Sequence, residues 1–187
     1  MKSTFFTVIV SLILAGVLSV GNAMAQGDSP TNAMPVKKTV ETRLECGQIA
    51  TEPYDAKFTV LEVVRGKEAL DRIKAANASN QPPQAGYEYV LARIAFEMKA
   101  IMAPGNKTFE LARKMQFVAL TEDGNEIDAS LATPPKPELH RMVRAGEPAE
   151  GWIVLEVEQK NKKPVMFFDP AVGGAMGRGK ILFFQLY

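Results

Sequence analysis

His140 and Met142 are the pair in this chain with a spacing suited to a soft metal. Strand side chains alternate between faces, so a His-x-Met pair falls on one face. Imidazole with thioether sulfur suits Cu(I). Met98, Met102 and Met115 are candidates for further sulfur. Against this, the chain has nine methionines but one histidine and one cysteine. A single His excludes the usual multi-histidine catalytic metal sites. A single Cys excludes an internal disulfide and a Cys-based zinc site. Methionine as adaptable core filler and His140 in a surface loop after Pro137 explain the same residues without a metal.

Cys46 is the other reactive type. A lone cysteine in an exported chain serves as a reactive thiol or an intermolecular link. Nucleophilic use needs a base, and His140 lies 94 residues downstream. The simpler reading is a partly buried small apolar residue. Asp123-Gly-Asn-Glu126 has oxygens that calcium accepts but lacks the alternating acids of a calcium loop, and reads as a turn. Gly173, Gly174, Gly177 and Gly179 are followed by no lysine-plus-hydroxyl pair, so they read as a glycine loop before the last strand. Glu156 and Glu158 share one strand face and read as outward acids on a solvated edge. No serine or threonine sits in a nucleophile-elbow pattern. No catalytic, cofactor or metal residue is assigned, and no cofactor is expected.

The elements that position these residues read mainly as strands. Phe58–Val64 is rich in β-branched residues. Tyr87–Met98 alternates, with Val90, Ala92, Ile94, Phe96 and Met98 on one face and Arg93 and Glu97 on the other, which Tyr87, Tyr89 and Leu91 make mixed. Phe109–Ala112, Met115–Thr121, Trp152–Val157, Val165–Phe168 and Ile181–Leu186 complete the set, and Asp123-Gly124 is a hairpin-type turn. Glu68–Ala76 breaks the pattern with Ala69, Leu70, Ile73 and Ala76 at helical spacing, and Pro82-Pro83 follows its end. About seven strands with one short crossover helix predict an all-β chain. Its expected form is an immunoglobulin-like antiparallel β-sandwich.

The chain's 22 basic and 21 acidic residues give a formal charge of +1, without the basic excess of a nucleic-acid binder. Lys2 precedes an apolar stretch from Phe5 to Val20, and Ala23-Met-Ala25 follows. That layout is a secretory signal peptide over residues 1–25, with an apolar run short of a spanning helix. Gln26 to about Lys38 contains Pro30 and Pro35 and no apolar periodicity. Residues 26–46 are therefore assigned to a flexible linker and 47–187 to one domain.

An ordered set of short motifs resembles the bacterial domain of unknown function 4352 family. It comprises Val63–Ala69, Ala75–Asn77, Pro82–Val90, Asp123-Gly124, Pro137–Leu139, Gly146, Glu150–Val154, Gly173-Gly174 and Ile181–Phe184. The resemblance spans Gly47 to Tyr187. It implies a telokin-like, immunoglobulin-like sandwich in an exported or surface-held protein, with no catalytic residues to carry over. It also implies that Gly66 and Gly86 bracket the crossover and that Trp152 packs in the sandwich. Arg144-Ala-Gly146 departs from the family's usual aromatic or second glycine, which bears on the local loop shape. His140-x-Met142 is similar to the tail of periplasmic copper chaperones, whose pattern needs a second, upstream histidine that this chain lacks.

The expected function is an exported, non-catalytic interaction module of the cell envelope or extracellular space. Its expected partner is a protein or envelope component, not nucleic acid, and after cleavage the chain is not an integral membrane protein. The alternatives are a small-ligand or Cu(I)-binding periplasmic protein, and an envelope enzyme gathering His140, Cys46 or acids into one pocket. Export makes a first prediction. Intact-mass measurement of the exported protein should give a chain that starts at Gln26, and a mass retaining residues 1–25 contradicts it.

Overall fold

The computed structural model describes residues 26–172 and 177–187. The expected signal peptide and the Gly173-Gly174 pair lie outside the described residues. A short 3-10 turn, Pro30–Asn32, comes first. The strands are β1 (Thr39–Cys46), β2 (Glu52–Arg65), β3 (Tyr87–Ala100), β4 (Thr108–Leu111), β5 (Phe117–Ala119), β6 (Arg141–Arg144), β7 (Ala149–Glu158), β8 (Val165–Phe168), β9 (Gly177–Gly179) and β10 (Leu182–Gln185). One helix, α1 (Gly66–Ala76), lies between β2 and β3.

β2 and β3 are the longest strands because their alternation is the longest. Each runs 14 residues, and they pair antiparallel along nearly their whole length. The register slips between Val60 and Glu62, so Leu61 is an extra residue, and such a bulge bends and twists the pair. β7 pairs with β3 on one side, and β1 then β9 extend the sheet on the other, in the order β7-β3-β2-β1-β9. A three-stranded sheet, β10-β8-β5, and a two-stranded ribbon, β4-β6, complete the strands. The result is the expected all-β sandwich with one short helix.

The core lies between these sheets. The inward face of β3 (Val90, Ala92, Ile94, Phe96 and Met98) is buried throughout, as its alternation predicts. It meets Phe58 and Val60 of β2, Leu155 and Val157 of β7, Phe109 of β4, Phe168 of β8 and Phe184 of β10.

The outward face of the large sheet is divided. At one end α1 covers Val64, Tyr89, Leu91 and Trp152 with Ala69 and Ile73. Trp152 is therefore buried, at 8% exposure, but beneath the helix and not between the sheets. The guanidinium carbons of Arg72 and Arg93 lie 5.5 and 5.9 Å from the centre of its ring. Glu62 lies 3.4 Å from Arg72 and 3.5 Å from Arg93, joining helix to sheet above the indole. Asn80 pins the helix end: its amide donates to the Ile73 and Thr133 carbonyls, and its oxygen accepts from the Thr133 amide. Beyond the helix the face is a lattice of alternating charges. Glu41, Lys57 and Glu97 form one cross-strand row and Arg43, Asp55 and Lys99 the next.

Three expectations need correction. The segment assigned to a linker, 26–46, is part of the domain. Residues 39–46 form β1, with Val40, Leu44 and Cys46 buried, and Met34 is buried beside β10. The outward Glu41, Arg43 and Glu45 hid an alternation that Val40, Leu44 and Cys46 complete on the inward face. The helix does not cross over between separated strands, because β2 and β3 pair directly and α1 is an insertion in their connection. β6 and β9 were not expected, since RMVR and GRG carry no apolar run.

Removing the indole should loosen the helix. Trp152→Ala is expected to destabilise the protein by about 3–5 kcal/mol in urea denaturation. Amide exchange should accelerate in α1 before the β2–β3 core. Equal protection of α1 in both proteins would show that the indole does not hold the helix down.

Candidate functional site

The residues singled out for chemistry do not form one site. His140 is exposed, and its Nε2 lies 3.3 Å from Glu110 Oε1. Met142 is exposed on β6, opposite Glu110 in register. Met98 belongs to the sandwich core, Met102 is exposed in the loop after β3, and Met115 packs with Val118, Leu120 and Phe167. No group of three or more His, Cys, Asp or Glu side chains is placed to hold a metal among the described residues.

Cys46 is fully buried in β1. Burial, then the negative charge of Glu52, pushes its thiol up to about 12. The thiolate needed for nucleophilic chemistry is therefore suppressed at neutral pH. Asp123-Gly124 is a turn, with the Gly124 amide donating to the Thr121 carbonyl. Glu156 and Glu158 are half-buried and accept from the Gln84 and Glu122 amides, and Lys160 pairs with Glu158. They tie loops to β7 instead of standing on a solvated edge.

Strand edges are the first place to look for a binding surface, because an open edge accepts another strand. Here irregular chain covers three of them. The Met34 amide donates to the Phe183 carbonyl and the Phe183 amide to the Gly27 carbonyl, so residues 27–34 line β10. The Ile127 amide donates to the Ala119 carbonyl along β5. At β7, Trp152 N–H donates to the Pro137 carbonyl and Leu139 N–H to the Trp152 carbonyl. Gly151 is what admits this strap: a Cβ there would lie 2.5 Å from the Leu139 nitrogen.

The end loops are the other candidate, and one end is distinct. The loop from β1 to β2 (47–51) and the loop after β3 (101–107) rise side by side, since β1 ends and β2 starts where β3 ends. Residues 48–51 and 101–106 carry no charge. Ile49 is 101% exposed, Met102 60% and Ile101 39%. Ala50, Ala103 and Pro104 are exposed with them. Gly47 and Gly105 make the tight turns behind these tips, both at positive φ. At Gly105 a Cβ would meet that of Ala100 at 2.5 Å, and at Gly47 it would overlap the Ala50 carbonyl oxygen.

A hydrogen-bond network behind the tips holds this apex. The Tyr54 hydroxyl donates to Glu52 Oε2 at 2.8 Å and accepts from the Lys107 amide at 2.9 Å. The Asn106 amide donates to the same Glu52 oxygen at 3.0 Å. The Ile101 amide donates to the Pro53 carbonyl, fixing the loop's first residue. Burial alone would raise the Glu52 carboxyl. The Tyr54 hydroxyl, the Asn106 amide and the Lys107 ammonium outweigh it and hold the group below its ordinary value of 4.5. Burial and the bond to Glu52 push Tyr54 up to about 12. Behind the tips, between the 105–108 segment and residues 144–147, lies a hollow of about 590 Å³ lined by Gly47, Gly105, Asn106, Lys107, Thr108, Arg144, Ala145 and Glu147.

This apex was not among the expected sites. Its signal was present as two uncharged apolar stretches that contain or adjoin turn glycines, Gly47-Gln-Ile-Ala-Thr51 and Ile101-Met-Ala-Pro-Gly105. No family model, curated protein or solved structure matches the chain.

The Glu52 network makes a pH prediction. A carboxyl with a lowered folded-state pKa stabilises the fold fully above its unfolded value, and that contribution fades as pH falls through the folded one. Glu52→Gln should therefore lower the melting temperature at neutral pH. The gap from wild type should narrow on acidification below 4.5. A gap independent of pH would show that the charge of Glu52 is not what holds the loop.

Proposed function

We propose that this protein is an exported, non-catalytic interaction module whose binding end is the apex formed by residues 47–51 and 101–107. The observation that carries this reading is the exposure of Ile49, Ile101 and Met102 on loops fixed from below by Glu52 and Tyr54. Exposed apolar clusters rimmed by polar residues mark interaction surfaces. A rigid loop loses less entropy on binding than a mobile one.

Three further observations support it. Irregular chain covers the edges of β10, β5 and β7, which turns part of the sheet periphery away from strand addition. The thiol is buried, and the histidine faces the Glu110 carboxylate. No helix among the described residues is long and apolar enough to cross a membrane. The Lys2–Ala25 layout supports export, and the resemblance to the domain of unknown function 4352 family is consistent with a surface-held or secreted sandwich.

The test uses a photo-reactive diazirine residue at position 102, with the same residue at position 57 on the charged face as control. Irradiation in intact cells should give covalent adducts, protein or lipid, from position 102 and few from 57. Met102→Asp should not be tolerated by the interaction: with the probe moved to position 49, it should reduce the adducts several-fold. Equal labelling from 102 and 57 would remove the apex as the binding end.

A further inference from the structure

We infer that the apex docks on a membrane surface that displays anionic phospholipid, with the apolar tips entering the headgroup layer and the hollow behind them receiving a lipid phosphate. This rests on the reading of the apex as the binding end and names its occupant.

The shape of the tips favours lipid. A stable protein interface buries well over about 1,000 Å² around anchors that fill pockets. The apex instead presents two narrow projections, Ile49-Ala50 and Ile101-Met-Ala-Pro104, with a hollow behind them. A fluid headgroup layer needs no complementary pocket. It accepts separate apolar side chains, and attraction to anionic lipid adds to their insertion.

The charge pattern supplies the second argument. The tips themselves are uncharged, and the charges begin one layer behind them. Lys107 and Arg144 line the hollow together with Asn106 and Thr108, with Glu147 in the same lining and Glu52 behind Lys107. Arg144 makes no ion pair among the described residues, and Lys107 reaches Glu52 only at 4.0 Å. Cations placed just behind inserting apolar residues lie at the depth of lipid phosphates.

The arrangement also explains why the loop is fastened from inside. Insertion works only if the tips stay extended from the domain, and an unfixed apolar loop would fold back on its own core. Glu52 and Tyr54 prevent that by holding Asn106 and Lys107.

Vesicle flotation of the protein recovered after export tests the proposal, with mixed phosphatidylglycerol–phosphatidylcholine vesicles and pure phosphatidylcholine vesicles. Wild type should float with the mixed vesicles and bind pure phosphatidylcholine more weakly. Ile49→Asp and Met102→Asp should each lower the bound fraction about tenfold. Arg144→Gln should erase the preference for phosphatidylglycerol while leaving the melting temperature unchanged. Lys57→Gln, on the charged sheet face, should bind as wild type does. Absence of flotation with either vesicle overturns the lipid assignment. So does full competition by soluble glycerol phosphate, which would mean that the hollow takes phosphate without help from the tips. If position 102 then still cross-links to protein alone, the apex remains the binding end and only its occupant is wrong.

Discussion

Phe58 sits where the three sheets meet. Its ring centre lies 4.6 Å from that of Phe96 on the same sheet and 4.5 Å from that of Phe168 on β8. Phe168 in turn contacts Phe117 of β5 and Phe109 of the β4–β6 ribbon, and Phe184 of β10 lies 6.3 Å from Phe58. The rings are tilted or edge-on, the arrangements that aromatic quadrupoles prefer. Short strands such as β4, β5, β8 and β10 have few ladder hydrogen bonds of their own. Each contributes one ring to a shared cluster, and that shared burial makes three separate sheets one sandwich. The apex depends on it indirectly, since Glu52 and Tyr54 keep their positions only while the far half of β2 is anchored.

Legibility in the sequence follows the length of the alternating pattern. β3 could be read with its inward face because five inward positions are apolar in succession. β7 could be read as a strand, but its outward Trp152 found cover under α1, and nothing local to Trp152 specifies which layer buries it. β1 had the alternation, yet its outward positions are charged, and the preceding prolines made the region resemble a tether. β6 and β9 are specified by their neighbours: β9 exists because β1 offers Leu44–Cys46 as a template. The apex was hidden for a different reason. Apolar residues in a loop look like core residues until the fold shows that there is nothing above them.

The two ends of the large sheet's outer surface illustrate opposite solutions to exposure. Near α1, apolar side chains are covered by a helix that is tied through Arg72, Glu62 and Arg93. Towards the apex the same surface is a lattice in which every charge has an opposite neighbour, as with Lys57 and Glu41 at 3.0 Å. Such exposed pairs add little stability. They keep the surface soluble and give an approaching strand no apolar row to pair with. Against this background the uncharged tips at 47–51 and 101–106 stand out as the place where the rule is suspended.

The position of Cys46 has a consequence for how the chain matures. Its register partner in the ladder is Gly177, 131 residues further along the chain. Contacts that join distant parts of a chain form late. As synthesis proceeds from the N-terminus, β1 can pair with β2 early, but the strand that closes its other side follows only after more than a hundred further residues. The thiol therefore remains open to oxidants through most of folding and becomes inaccessible once β9 docks. In an oxidising compartment this sets a race between folding and mixed-disulfide formation. A chain that wins it carries a thiol that is shielded for as long as the fold persists.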